Sequence, residues 1–211
     1  MDMHPPQKAL VFLFLSYLIL FVGLALNPVD RTTWVAENLT VWILVGTLGV
    51  LYLCKIRFTL VAYLFMSVLI FLHTIGGHYT FEKVPFSFVT DLLGFERNNY
   101  DRIAHFSVGF YAFAVAEWLW RTRTVKSRFL LFTYPIFVIA TVAMSYEIIE
   151  WIYAAQSDPL AGAAYLGSQG DIWDAQKDML MDTIGAIFAT SFFFWYHGAR
   201  RLQKELNSHN P

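Results

Sequence analysis

Six apolar runs, at about 9 to 26, 39 to 54, 58 to 75, 103 to 120, 129 to 152 and 179 to 197, constrain this chain more than any other feature. Each is close to the roughly 17 to 25 residues with which a helix crosses a bilayer core. In lipid a chain must satisfy its own backbone polar groups, which a helix does within itself and an open strand does not. The expected fold is therefore all-α: a polytopic membrane protein with six transmembrane helices in one bundle, a single domain over residues 1–211. Composition agrees, since 57% of the residues are hydrophobic and 15% charged, outside the range of soluble domains. No convincing signal-cleavage site follows the first run, where Leu26-Asn27-Pro28 is a poor fit, so that run reads as an uncleaved span. Pro135 lies inside the fifth run and should kink it. The stretch Phe86 to Phe95 is expected to form a short amphipathic or re-entrant helix at the interface.

The connections alternate in charge. Lys8, then Lys55 and Arg57, then Arg121, Arg123, Lys126 and Arg128, then Arg200, Arg201 and Lys204 mark one side. The other connections are acidic or mixed, with Asp30, Arg31 and Glu37, then Glu82, Lys83, Asp91, Glu96 and Arg97, then Asp158, Asp171, Asp174 and Lys177. By the positive-inside rule both termini are expected in the cytoplasm and the acidic connections outside. The single cysteine, Cys54, excludes an intrachain disulfide and a thiolate-rich metal site.

Within this layout one acidic tract stands out. Asp171, Asp174, Asp178 and Asp182 are spaced by three, four and four residues, which on a helix confines four carboxylates to an arc of about 80°. Like charges so placed need a cation, a basic partner or retained protons. Other ionisable pairs are expected at the same level: Asp101 with His105, and Glu147 with Glu150, each sharing one helix face. His73 and Arg102 lie at that level too, whereas the other halves of the spans are nearly uncharged. Ionisable groups in a span are costly in hydrocarbon, so an inward-facing functional cluster is the expectation. Oxygen ligands with an imidazole suit a divalent metal ion. Other roles stay open: Arg97, Arg102 and Lys177 as structural ion-pair partners, Asp171 and Asp174 as a helix start and N-cap, and His73 as a packed histidine. His78, His4, His197 and His209 are expected at interfaces or in solvent. No HExxH, Walker or GxSxG pattern is present, and Ser145, Ser168 and Thr183 form no triad.

The segments Gly76-Gly77-His78-Tyr79-Thr80, Arg97-Asn98-Asn99-Tyr100-Asp101-Arg102-Ile103-Ala104-His105-Phe106, Tyr146-Glu147-Ile148-Ile149-Glu150-Trp151 and Gly167-Ser168-Gln169-Gly170-Asp171-Ile172-Trp173-Asp174-Ala175-Gln176-Lys177-Asp178-Met179 resemble the YjdF-like family of bacterial inner-membrane proteins. The likeness runs from about Asp30 to the end of the last run. It implies location in the inner membrane and a fold rather than an activity. More distantly, Asp101-x-x-x-His105-Phe106, Glu147 and Asp178-x-x-x-Asp182-x-x-Gly185-Ala186 are similar to VanZ-like membrane proteins linked to glycopeptide tolerance, where the position of Asp182 is usually an asparagine. That similarity implies envelope lipids or lipid-linked precursors as ligands.

Together these readings give an outward-facing site with Asp101, His105, Glu147, Asp178 and Asp182 as ligands of a divalent metal ion. Glu150 would be a general base and Arg102 would bind a substrate anion. The expected chemistry is hydrolysis or group transfer on an envelope lipid or lipid-linked precursor. The alternatives are a transporter carrying protons or cations, and a non-catalytic factor whose polar cluster fixes helix packing. Membrane lipids are the expected partners, and nucleic acid is not.

Overall fold

A computed structural model describes residues 5–156, 162, 166, 168–198 and 201–202. His4, Asp158, Arg200, Lys204 and His209 lie outside the described residues. All regular structure among the described residues is helical: α1 (Gln7–Leu24), α2 (Arg31–Leu53), α3 (Leu60–Tyr79), α4 (Ser87–Leu93), α5 (Tyr100–Val108), α6 (Tyr111–Thr122), α7 (Arg128–Gln156) and α8 (Asp174–His197). Five of these, α1, α2, α3, α7 and α8, are long and apolar enough to cross a membrane. Phe12, Ile19, Leu53 and Trp195, each more than 70% exposed, point outward as lipid-facing side chains do.

The fourth apolar run departs from expectation, because it is delivered as two helices, α5 and α6. Phe110 N–H donates to Ser107 O and Ala112 N–H to Gly109 O, at 3.1 and 3.0 Å, so the ladder tightens to the 3₁₀ pattern across the junction. Gly109 and Phe110 both keep right-handed helical dihedrals. The cause is a close approach to α8. A Cβ at Gly109 would collide with the backbone of Gly185 and Ala186, and one at Gly185 with Phe106 O. Only glycines allow two helix backbones to meet so closely.

The second run starts earlier than expected. Asp30 caps α2 by accepting from Thr33 N–H at 2.6 Å, so Glu37 sits two turns inside the helix and is buried rather than in a connection. Likewise α8 begins at Asp174, ahead of the expected 179, with Trp173 as its N-cap and no side-chain cap. A short helix forms where one was expected, as α4, which buries none of its residues and exposes Phe88, Leu92 and Leu93.

Helices α5 and α8 both run inward from the same end of the bundle, and α8 also packs on α6 and α7. Ala112, Ala116, Ala186 and Ala189 are completely buried between them, the small residues that allow tight packing where lipid offers no hydrophobic drive. Deeper in the bundle Phe113 meets Phe65 and Phe193 edge-on, at centroid distances of 5.3 Å, a geometry the ring quadrupole favours. His197 packs against Trp120 and Phe193 in the same cluster.

Candidate functional site

The glycine contact fixes which residues meet farther along the two parallel helices. Stepping back by a turn from Gly109 and Gly185 brings His105 to Asp182 and then Arg102 to Asp178. The expected acidic face of α8 is thereby laid against the polar face of α5. His105 Nδ1 lies 3.3 Å from both carboxylate oxygens of Asp182, while its Nε2 is 3.6 Å from Asp101 Oδ1 and 3.8 Å from Asp178 Oδ1. One ligand atom from each of Asp101, His105 and Asp178 falls within a sphere of mutual distances below 4.8 Å.

Basic residues occupy the other side of the aspartates. Arg102, buried, pairs with Asp178 and Asp174 through very short contacts and reaches Asp171 at 3.4 Å. Arg97 Nη1 donates to Asp174 at 2.7 Å and to Ser168 O at 3.2 Å. Lys177 holds Asp171 at 2.6 Å. The Lys177 ammonium, and then the Trp173 N–H that donates to Asp171 Oδ1 at 3.0 Å, keep the Asp171 carboxyl below its ordinary value. Asp174 begins α8, the helix-start role expected of it, but Trp173 rather than either aspartate holds the N-cap position, and both carboxylates are paired with guanidinium groups.

The loops carrying these side chains are tied by an amide exchange. Asn98 N–H donates to Gln169 Oε1 and Gln169 Nε2 donates to Asn98 O, both at 3.0 Å. The Asn98 amide also donates to Glu82 O and Val84 O at 2.9 and 2.8 Å. Gln169 and Gly170 then take positive φ values of 51° and 84°, reversing the chain so that Asp171 returns toward Arg97. A side chain at position 170 would be strained there.

A cavity of about 590 Å³ opens beside this cluster. Asp101, His105, Asp178 and Asp182 form one wall, and Glu147 and Glu150 of α7 line it as well. Glu147 Oε1 is buried with no hydrogen-bond partner among the described residues. The structure thus brings Asp101, His105, Glu147, Glu150, Asp178 and Asp182 to one cavity. Arg102 does not line it, because its nitrogens are directed at Asp171, Asp174 and Asp178.

Three polar features escaped the sequence reading. Glu37 lines the cavity from α2 and pairs with His73 at 3.1 Å, so His73 is a hydrogen-bonded buried histidine. Tyr111 also lines the cavity, with its hydroxyl buried and unpartnered among the described residues. At the opposite end of the bundle Glu117, wholly buried, accepts from Thr59 N–H at 2.9 Å, from Thr59 Oγ1 at 2.6 Å and from Arg121 at 3.0 Å. The spacing of Glu117 and Arg121 by four was the available signal. His78, expected at an interface, ties the end of α3 to α1 through Nδ1 and Leu24 O at 2.6 Å.

A family profile described as "Predicted membrane protein (DUF2238)" matches residues 9–199. The chain belongs to that family. It is also 35% identical over 198 residues to the inner membrane protein YjdF of Escherichia coli (strain K12), covering 91% of this chain and 90% of that protein. No solved structure matches it. Membership of DUF2238 and the apolar helices make this a multi-pass membrane protein. The resemblance to the YjdF-like family is confirmed over nearly the whole chain. All four motif segments fall inside the region matched by the DUF2238 profile.

Proposed function

We propose that this is a six-span inner-membrane protein whose outward-facing cavity binds a divalent metal ion and uses it on an envelope lipid or lipid-linked precursor. The α5–α6 pair serves as the remaining span, since its right-handed junction keeps both pieces on one course. The observation that carries the metal reading is the pairing pattern. Arg97, Arg102 and Lys177 account for Asp171, Asp174 and Asp178. Among the described residues Asp101, Asp182, Glu147 and Glu150 have no arginine or lysine ion pair, and His105 contacts Asp101 and Asp182, in a setting where uncompensated charge is costly. A cation removes that cost.

The donor set fits. Two ligands on one ion at about 2.1 Å each stand about 3 to 3.4 Å apart in tetrahedral or octahedral geometry, and the Nε2 distances to Asp101 and Asp178 are 3.6 and 3.8 Å. Asp101, His105 Nε2 and Asp178 are the ligands this geometry favours, with Asp178 shared between the ion and Arg102. Asp182 acts through His105, accepting its Nδ1–H and so presenting the Nε2 lone pair. A bound divalent ion would polarise a phosphate or lower the pKa of a water. Glu150 and Glu147 are the acceptors for the proton released.

Metal analysis of the purified full-length protein tests this. About one divalent ion per chain is expected in the wild type, with loss in an Asp178→Asn, His105→Ala double variant. A metal-free wild type that stays folded after incubation with zinc, manganese, magnesium or calcium overturns it. The reading of the cluster as a packing device without chemistry draws on one observation, the Arg102 contacts to Asp174 and Asp178. That reading predicts an unchanged in-cell role for the double variant.

A further inference from the structure

The cavity changes character along its length. At one end are Glu37, Asp101, His105, Glu147, Glu150 and Asp178; farther along the same helices the walls become Leu44, Leu69, Val108, Val115, Val138 and Val142. From Glu150 back to Val138 the α7 wall covers thirteen residues, or about 18 Å of helix. Its facing wall is α2, whose Glu37, Thr40 and Leu44 line the cavity at helical spacing. Yet α2 packs on α3 and on no other helix to a comparable extent, while α7 packs on α6 and α8. Among the described residues, α2 and α7 are therefore not closely packed on one another, and the space between them has an open margin. Side chains at that margin are open: Val142 is 52% exposed and Trp151 65% exposed although both line the cavity.

We infer that this cavity is a cleft entered sideways from the bilayer between α2 and α7, and that its occupant is a phospholipid with an ammonium head group. One acyl chain lies along Val138, Val142, Leu44 and Val115, and the ammonium meets Glu147 and Glu150. The apolar depth matches a hydrocarbon chain, which can pass from the bilayer into the cleft without exposing apolar surface to water. The head group follows from charge. Neither glutamate has a salt-bridge partner among the described residues, and Glu147 Oε1 is buried and unpaired. An anionic head group at that end would add a like charge beside Glu147 and Glu150, whereas an ammonium supplies three donors. The inference rests on the reading above in taking a lipid as the substrate, and it names the lipid's class.

The test is native mass spectrometry of the full-length protein recovered from vesicles of equal phosphatidylethanolamine and phosphatidylglycerol, with metal content measured on the same samples. The wild type is expected to retain phospholipid and to favour the ethanolamine lipid about tenfold. Val142→Trp from one wall and Leu44→Trp from the other should each lower retention about tenfold while leaving any bound metal in place. Glu147→Gln with Glu150→Gln should keep the lipid but lose the preference. Retention that ignores both tryptophans, or a wild type holding the two lipids in the vesicle ratio, overturns the inference. A lipid pattern as expected on a chain that binds no metal leaves the cleft standing and removes the metal reading alone.

Discussion

Two carboxylates at opposite ends of the bundle show how differently the same group is used. Glu117 is wholly enclosed and fully bonded, closing the N-terminus of α3 through Thr59 while neutralising Arg121. Removing one member of a buried charged set strands the others, which costs about 3 to 5 kcal/mol. Glu117→Ala should lower stability by about that much, read as a large fall in thermal midpoint in detergent, and Glu117→Gln by less because Thr59 keeps an acceptor. A midpoint unchanged in the alanine variant would mean that water replaces the carboxylate. Asp171 is partly exposed and has a testable pH signature. Lys177 first, and the Trp173 N–H second, hold its folded carboxyl below the ordinary value. Its contribution is therefore present above the unfolded carboxyl value and disappears as the pH falls through the lower folded value. Midpoints measured between about pH 5 and pH 3 should fall less steeply in Asp171→Asn than in the wild type. Parallel curves would show that the Lys177 contact carries no weight in solution. The sequence disclosed the identity of the clustered groups through their spacing. It did not disclose their pairing, because Arg102 and Asp178 are 76 positions apart and nothing local tells a guanidinium whether it will meet a carboxylate or a substrate.

At the scale of elements, hydropathy located the long helices because length and apolarity are imposed by the bilayer itself. It failed at α2 and α8, whose first turns are polar: Asp30 caps the one, and the other is entered through Asp174, which is buried by ion pairs and not by apolarity. It also missed the break between α5 and α6, since a glycine that admits a neighbouring backbone reads the same as any other glycine in an apolar run. That contact aligns the whole site, so it offers a sharp test. Gly185→Ala places a methyl against Phe106 O, and Gly109→Ala places one against the backbone of Gly185 and Ala186. Because backbone cannot swing aside as a side chain does, each should cost about 1 to 3 kcal/mol by overpacking. By contrast Gly46→Ala and Gly49→Ala, at positions with open space around them, should be neutral or slightly stabilising through helix propensity. Thermal unfolding of the four variants checks this. Equal effects at all four positions would show that α5 and α8 stand farther apart than described.

For the whole molecule the distribution of charge along the membrane normal decides what the cavity can reach. Lys55, Arg57, Arg121, Arg123, Lys126 and Arg128 flank the ends of α2, α3, α6 and α7 that lie opposite the acidic cluster. Basic residues in short connections resist translocation, so that end is expected in the cytoplasm and the mouth of the cavity in the outer leaflet. Alkaline phosphatase inserted after Gly94, in the connection between α4 and α5, should then be active, and a fluorescent protein fused to the C-terminus should fold and emit. The two reporters fold productively on opposite sides, so each serves as a control for the other. The converse pattern would place the carboxylates and His105 against cytosolic substrates and remove the envelope-lipid reading while leaving the metal geometry intact. The orientation also predicts which ions matter. A site facing outward equilibrates with external metal, so a membrane-impermeant chelator added to intact spheroplasts should strip an ion bound at Asp101, His105 and Asp178, and Asp182→Asn should speed the loss by releasing the hold on His105. An ion that only permeabilised membranes surrender would place the site on the inner face.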